Sequence, residues 1–160
     1  MAAVPPVCEF GWRSADFELE GIDGELYTLG RVRGPKGTLV MFICNHCPYV
    51  KSVIGRIVRD VADLRASGIG AVAINANDPS AYPADSFENM KAFAAVHGID
   101  FPYVVDRTQE VARAYGAACT PDFFGFNKDL ELHYRGRLDE SKMTLVEGAR
   151  RELYEAMIQI

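Results

Sequence analysis

The fold is decided by residues 38–51, TLVMFICNHCPYVK, in which an apolar run ends at two closely spaced cysteines. Residues 38–44 are uncharged and rich in strand-forming side chains, which is typical of a strand buried on both faces of a sheet. Apolar residues then recur at helical spacing from 48 to 67. The stretch therefore predicts a central strand followed by a helix, with Cys44 and Cys47 at the junction.

Strands and helices alternate through the rest of the chain. A hairpin is predicted before the central strand, because alternating residues flank Asp23-Gly24, a pair typical of tight turns. Further strands are predicted at residues 69–75, 101–106, 121–127 and 130–136. Helix starts are predicted where residue pairs have capping spacing, namely Asp85 with Glu88, Asp106 with Gln109, and Thr144 with Glu147. This order predicts an α/β fold with a mixed sheet, parallel in part and closed by an antiparallel pair.

Size and charge narrow the class of protein. A chain of 160 residues predicts a single domain over residues 1–160. The net charge is −5 and the basic residues are scattered, which disfavours a nucleic-acid surface. No segment has the length of a membrane span, and residues 1–17 lack the basic start and apolar run of a secretory signal. We therefore expect a cytoplasmic protein with no nucleic-acid or membrane partner.

The spacing of Cys44 and Cys47 favours redox chemistry. Residues three apart at the first turn of a helix are neighbours, so a disulfide between them is reachable without distorting the backbone. The positive end of the helix dipole stabilises an anion, which predicts a lowered pKa and a nucleophilic role for Cys44, the leading thiol. His46 lies between the two cysteines. If protonated, it would further stabilise the Cys44 thiolate and make the disulfide more oxidising.

Two other interpretations of the cysteine pair are weaker. Structural zinc usually has four ligands, whereas this chain has one Cys-x-x-Cys pair, and His97 and His133 are not spaced as ligands. An inert pair is the second interpretation, because free cysteine packs well in apolar cores. A strand, a Cys-x-x-Cys motif and a helix in succession are a more specific signal of redox function. Neither a metal nor another cofactor is predicted.

Four segments resemble one known family. They are CNHCPYVK (44–51), AINANDPSAYPADSFENMKAFA (73–94), FPYVVDRTQEVARAYGAACTPDFFGFN (101–127) and YRGRLD (134–139). Together they are similar to the peroxiredoxin-like branch of the thioredoxin superfamily. Its members are often described as alkyl hydroperoxide reductase/thiol-specific antioxidant proteins or as thiol-disulfide isomerases. The similarity covers most of the chain, from Trp12 to Asp139.

The resemblance implies a thioredoxin-like fold, in which a central mixed sheet is flanked by helices. It maps Cys44 onto the attacking cysteine of the thioredoxin motif and Cys47 onto the resolving cysteine. It also maps Thr120 and Pro121 onto the Thr–cis-Pro pair, which packs beside the thiols and positions a bound polypeptide.

Other positions match the wider superfamily only in part. Asn45 and His46 are closer to protein disulfide isomerase and to the bacterial disulfide-forming oxidase, which implies a more oxidising pair with Asn45 as an accessory residue. Met41 stands where thioredoxins carry a buried acid that assists proton transfer, so that assistance is absent or supplied elsewhere. Cys119 directly precedes the Thr-Pro pair, as a third thiol, a tuner or a buried structural cysteine.

The sequence favours a thiol-disulfide oxidoreductase that acts on protein or small-molecule disulfides, with a cellular reductant or oxidant as its second partner. One alternative is a peroxiredoxin-type antioxidant peroxidase, with Cys47 as the peroxide-reacting thiol because Pro48 follows it. That class also needs a Thr where this chain has Cys44, and an Arg at a position that Arg135 and Arg137 do not match. A second alternative is a non-catalytic redox sensor or binding module, in which the thiol pair switches the affinity for a partner.

Overall fold

The computed structural model describes residues 11–117, 120–136, 138 and 150–160. Its strands are β1 (Glu18–Gly21), β2 (Leu26–Thr28), β3 (Gly37–Phe42), β4 (Ile69–Asn75), β5 (Tyr103–Val105), β6 (Asp122–Asn127) and β7 (Leu132–Gly136). Its helices are α1 (Leu29–Val32), α2 (Pro48–Ala66), α3 (Phe87–His97), α4 (Glu110–Tyr115) and α5 (Glu152–Ile158), and a 3-10 turn covers Pro83–Asp85. The strands form one sheet in the order β2-β1-β5-β4-β3-β6-β7.

Strand β3 is buried along its whole length near the middle of the sheet. It pairs in parallel with β4 and antiparallel with β6, so the sheet is mixed. Alternate β3 residues serve opposite faces: Leu39 and Met41 pack with α2, α3 and α5, while Val40 and Phe42 pack with α1 and α4. The predicted α/β class, with a central mixed sheet flanked by helices, is confirmed.

Helix α2 starts one residue after the second cysteine. Cys47 is its N-cap residue and Pro48 takes the first helical position, where the missing N–H of proline costs nothing. The helix ends at Ala66, and Gly68 follows with a φ of 89°. The left-handed conformation of Gly68 explains why a glycine ends the helix there.

The predicted N-terminal hairpin is present and belongs to the main sheet. Strands β1 and β2 pair antiparallel, and β1 also pairs antiparallel with β5. Gly24 in the connecting turn has a φ of 81°, a conformation that glycine adopts without steric cost. Helix α1 follows directly and is missed by the sequence pattern, because it has only four residues. The hydroxyl of Thr28 caps it by accepting the Arg31 N–H.

The predicted helix start at Asp85 is wrong. Helix α3 starts at Phe87, and its cap is Ser86, whose hydroxyl accepts the N–H of Asn89 at 3.2 Å. Asp85 instead ends the preceding 3-10 turn, with its side chain buried. The buried carboxylate is engaged with the residues that follow β3, so the neighbouring serine supplies the cap.

The other two predicted helix starts have different outcomes. Helix α4 starts at Glu110 rather than beside Asp106, although the Asp106 carboxylate does accept the N–H of Ala112 at 2.8 Å. The pair Thr144–Glu147 lies outside the described residues. The final helix that the structure does describe is α5.

An ion pair fixes the start of β6, which directly follows Pro121. Arg135 on β7 lies 2.8 Å from the Asp122 carboxylate, and the two side chains are only 8% and 10% exposed. Arg135→Ala should lower the free energy of unfolding by about 3 kcal/mol, because the buried Asp122 carboxylate loses the guanidinium that lies 2.8 Å from it. Urea denaturation measures the loss. Arg107→Ala is the matched control.

Arg107 makes a comparable contact on the surface. Its guanidinium lies 2.9 Å from Glu20, but both side chains are well exposed. Its removal should cost about 1 kcal/mol or less, because water screens the pair. An equal loss in the two variants would contradict a structural role for the pair between β6 and β7.

Candidate active site

The two cysteines lie at the edge of the sheet where the parallel strands β3 and β4 end. Cys44 follows the end of β3 by two residues, and Cys47 caps α2. Both carry free thiols. Ligands and reactive groups of open α/β sheets collect at this edge, because strand ends and helix starts meet there.

Thr120 and Pro121 lie against the thiols from the other side. The peptide bond between them is cis. The Thr120 hydroxyl is 3.3 Å from the Cys44 sulfur, and the Cys47 thiol donates to the Thr120 carbonyl oxygen at 3.6 Å. The structure therefore brings the Thr-Pro pair to the cysteines, as the resemblance implies. The positioning of a partner by this pair stays a prediction.

The two thiols differ in exposure and in acidity. Cys44 is 1% exposed, and burial raises the pKa of its thiol, with a further rise from the nearby Asp85 carboxylate. Cys47 is half-buried. Burial alone would raise the pKa of the Cys47 thiol, but the N–H groups of Val50 and Tyr49 and the contact with Thr120 bring it below its ordinary value.

The prediction that Cys44 has the lowered pKa is therefore wrong. The helix begins at Pro48, as the sequence predicts, but the prediction placed the positive end of its dipole at the first cysteine, whereas the cap residue of α2 is the second. The unpaired N–H groups and the positive end of the helix dipole act on the residue at the cap, which is Cys47.

Cys47 should consequently be alkylated before Cys44. In reduced protein treated briefly with iodoacetamide near pH 7.5, we expect the label on Cys47, because that thiol is the more exposed and the more acidic. Peptide mass spectrometry measures the two labels separately. Labelling of Cys44 at an equal or higher rate would contradict the pKa order.

The carboxylate of Asp85 is the polar centre of the site, and it comes from the turn before α3. Its side chain is buried, and Oδ1 accepts the backbone N–H of Asn45 and the side-chain amide of Asn75. Oδ2 accepts from His46 Nδ1 and, at 2.9 Å, from the Asn77 amide. Burial alone would raise the pKa of the Asp85 carboxyl, but these hydrogen bonds bring it below its ordinary value. Asp85 is therefore ionised at neutral pH.

A second layer of hydrogen bonds fixes the groups that hold Asp85. The Tyr103 hydroxyl donates to the Asn45 side-chain oxygen at 2.8 Å and accepts from Asn75 at 3.2 Å. Asn45 also donates to the Ala84 carbonyl at 3.1 Å. The accessory position predicted for Asn45 is thus a structural one, since this side chain ties the loop after β3 to the turn before α3.

His46 is held in one orientation by two neighbours. Its Nδ1 donates to Asp85, and its ring stacks on Tyr82 with a centroid separation of 4.9 Å and an interplanar angle of 11°. The side chain is 36% exposed, so the ring connects the buried carboxylate with the surface. The sequence predicts His46 as a neighbour of the thiols but misses both Asp85 and Tyr82.

Three potential metal ligands lie together at this site. A sulfur of Cys44, a ring nitrogen of His46 and a carboxylate oxygen of Asp85 are all within 4.8 Å of one another. The donor set does not fit a resident metal, because each Asp85 oxygen already accepts two hydrogen bonds, one of them from His46. Structural zinc also takes four ligands. The group is better explained as a hydrogen-bonded cluster.

In the part of the chain that the structure describes, the pattern of a peroxiredoxin site is incomplete. Cys44 stands where that class needs a threonine hydroxyl. Arg135 is engaged elsewhere, with Asp122 and with the Gly116 carbonyl at 3.1 Å. Cys119 and Cys8 lie outside the described residues, so the accessory role predicted for Cys119 stays a prediction.

The fold and the site define a thioredoxin-fold protein with a Cys-x-x-Cys pair beside a cis-proline. The chain belongs to the AhpC/TSA family, whose model matches residues 11–135. No helix in the described part of the chain is both long enough and apolar enough to cross a membrane.

Three known proteins illustrate the similarity. The thiol-disulfide oxidoreductase ResA of Halalkalibacterium halodurans is 26% identical over 122 residues, which are 76% of this chain and 65% of that protein. An uncharacterised conserved protein of Geobacillus kaustophilus, with a crystal structure, is 42% identical at a TM-score of 0.89, over 97% of this chain and 85% of its own. The thioredoxin domain of a thiol-disulfide oxidoreductase from Bacteroides vulgatus is 12% identical at a TM-score of 0.74, over 96% and 98% of the two chains, and shows the shared fold.

Proposed function

We propose that the protein is a thiol-disulfide oxidoreductase, which exchanges electrons between the Cys44–Cys47 pair and the disulfide of a protein or small-molecule partner. The observation that carries this proposal is the arrangement of two free thiols around Thr120, at the start of a helix and beside a cis-proline. The similarity to ResA, a protein described as a thiol-disulfide oxidoreductase, supports it.

Reduction of a partner takes two steps. A thiolate of the pair attacks one sulfur of the partner disulfide, forming a mixed disulfide and releasing the other partner sulfur as a thiol. The second cysteine of the pair then attacks the mixed disulfide, which releases the second partner thiol and leaves the Cys44–Cys47 disulfide. Two electrons and two protons have passed to the partner. A cellular dithiol reductant restores the pair, and the reverse sequence would donate a disulfide.

The order of the two thiols follows from their surroundings. The sequence predicts that Cys44 attacks first and Cys47 resolves. The structure favours the opposite order, because Cys47 is the more exposed thiol and has the lowered pKa, while Cys44 is 1% exposed against Thr120. The proposal therefore gives the first attack to Cys47.

Insulin reduction by dithiothreitol tests the proposed activity. The wild-type protein should shorten the time to precipitation of the insulin B chain, because it accepts electrons from the dithiol and passes them to the insulin disulfides. A rate equal to that of dithiothreitol alone, combined with a partner affinity that changes on oxidation, would favour the redox sensor instead.

Peroxide reduction at Cys47 is a second candidate function. It is favoured by the position of Cys47 at the cap of α2, by its lowered pKa and by Pro48 after it. A peroxide-reacting thiolate would form a sulfenic acid and release an alcohol or water, and Cys44 would close the disulfide. Dithiol-dependent peroxide loss that survives Cys44→Ser but not Cys47→Ser would assign this activity.

A further inference from the structure

Deprotonation of Cys44 requires a proton acceptor inside the site. In either order of attack, Cys44 has to become a thiolate before its sulfur can form a bond. The side chain is 1% exposed, and burial raises the pKa of its thiol. Bulk water therefore does not deprotonate it readily, and Met41, which stands where thioredoxins carry their buried acid, cannot accept a proton.

Among the described residues, four titratable groups face this part of the site. An oxygen of Asp85 and a ring nitrogen of His46 lie within 4.8 Å of the Cys44 sulfur, so both side chains are close enough to exchange a proton with the thiol through water. The third group is Cys47, whose thiol donates to the Thr120 carbonyl oxygen. Tyr103 is unsuited as an acceptor, because burial raises the pKa of its phenol and its hydroxyl donates to Asn45.

The geometry of His46 is that of a positioned base. Because Asp85 is ionised and accepts the Nδ1–H, a neutral His46 carries its lone pair on Nε2. Tyr82 stacks on one face of the ring and restricts its rotation. The ring is partly exposed, so a proton can leave it for solvent.

We propose that Asp85 is a positioning residue which holds His46 as the proton acceptor for Cys44. The proton leaves the Cys44 thiol, passes through water to the His46 ring, and is then delivered to the departing partner thiolate or to solvent. As it leaves, an electron pair of the Cys44 sulfur forms the bond to Cys47, and the bond between Cys47 and the partner breaks. This inference rests on the proposed thiol-disulfide exchange and supplies the proton step that Met41 cannot.

The closing of the Cys44–Cys47 disulfide provides the test. Reduced protein is mixed with excess oxidised glutathione, quenched in acid, and analysed for mixed and intramolecular disulfides over a range of pH. For His46→Gln and Asp85→Asn we expect closing near pH 7 to be slowed about 100-fold, the usual contribution of a general base. The deficit should shrink as the pH rises, because hydroxide then deprotonates Cys44 directly. Formation of the mixed disulfide itself, measured in a Cys44→Ser background, should change much less.

Asp106→Asn is the matched control, because its carboxylate is also buried but accepts the N–H of Ala112 in α4 rather than a group of the site. In this variant the Cys44–Cys47 disulfide should form at the wild-type rate. His46→Gln keeps the test decisive if Asp85→Asn folds poorly, since His46 is partly exposed. Unchanged closing in a folded His46→Gln variant would overturn the inference and leave thiol-disulfide exchange standing. Absence of any intramolecular disulfide in the wild-type protein would overturn the proposed function instead.

Discussion

Replacement of either Cys44 or Cys47 by serine is expected to abolish the catalysed reduction of insulin disulfides by dithiothreitol. Each turnover needs one sulfur to attack the partner disulfide and a second sulfur to release it, and a serine hydroxyl can do neither. The turbidity of the insulin B chain measures the rate. Both variants should fall to the rate of dithiothreitol alone, which is a complete loss of the protein's contribution.

Cys8→Ser supplies the matched control, because it makes the same substitution at a cysteine without a neighbouring thiol in the sequence. It should retain the wild-type rate. A Cys44→Ser or Cys47→Ser variant that still reduced insulin at the wild-type rate would contradict the assignment of the redox pair.

The two serine variants should differ sharply in how much mixed disulfide they form with a partner. With Cys44→Ser, Cys47 can still attack a partner disulfide, and no second thiol remains to release the product. A mixed disulfide should therefore accumulate through Cys47. With Cys47→Ser, the remaining Cys44 thiol is buried and has a raised pKa, so little mixed disulfide should form. Mass spectrometry after incubation with oxidised glutathione measures both products.

The opposite outcome would restore the order that the sequence predicts. If Cys47→Ser accumulated the mixed disulfide through Cys44 and Cys44→Ser did not, then Cys44 would be the attacking thiol. The burial seen in this structure would then have to open when a partner binds. The double variant, Cys44→Ser with Cys47→Ser, is the control for adducts elsewhere in the chain.

Much of the fold is predictable from local patterns. The uncharged run that forms β3, the helical spacing of α2 and the Asp23-Gly24 turn each specify an element without help from distant residues. Helix starts are harder, because several polar residues near one another can all cap. The choice of Ser86 over Asp85 depends on a tertiary contact, since Asp85 is bound to the loop after β3.

The site is predictable only as far as the motif reaches. Cys44, His46 and Cys47 are adjacent in sequence, and the family resemblance supplies Thr120 with Pro121. Asp85 lies about forty residues away and has the spacing of an ordinary helix cap, so it is found only when the fold brings it to His46. The pKa order is missed for a similar reason, because it depends on the burial of Cys44 and on which cysteine caps α2.

Several predictions from the sequence are not tested by the structure. The cytoplasmic location, the single domain over residues 1–160 and the peroxidase alternative are predictions that await experiments. So is the more oxidising potential expected from His46. The ionised Asp85 beside that ring opposes such an effect, because a negative charge disfavours a neighbouring thiolate.

The central claim is that Cys44 and Cys47 form one reversible redox pair. Its most direct test is a titration of the protein in glutathione redox buffers, followed by acid quenching, alkylation and mass spectrometry of the peptide that contains both cysteines. We predict a single reversible transition in which both thiols are lost together and an intramolecular disulfide forms. A transition in which one cysteine becomes a stable glutathione adduct while the other remains open to alkylation would contradict the account.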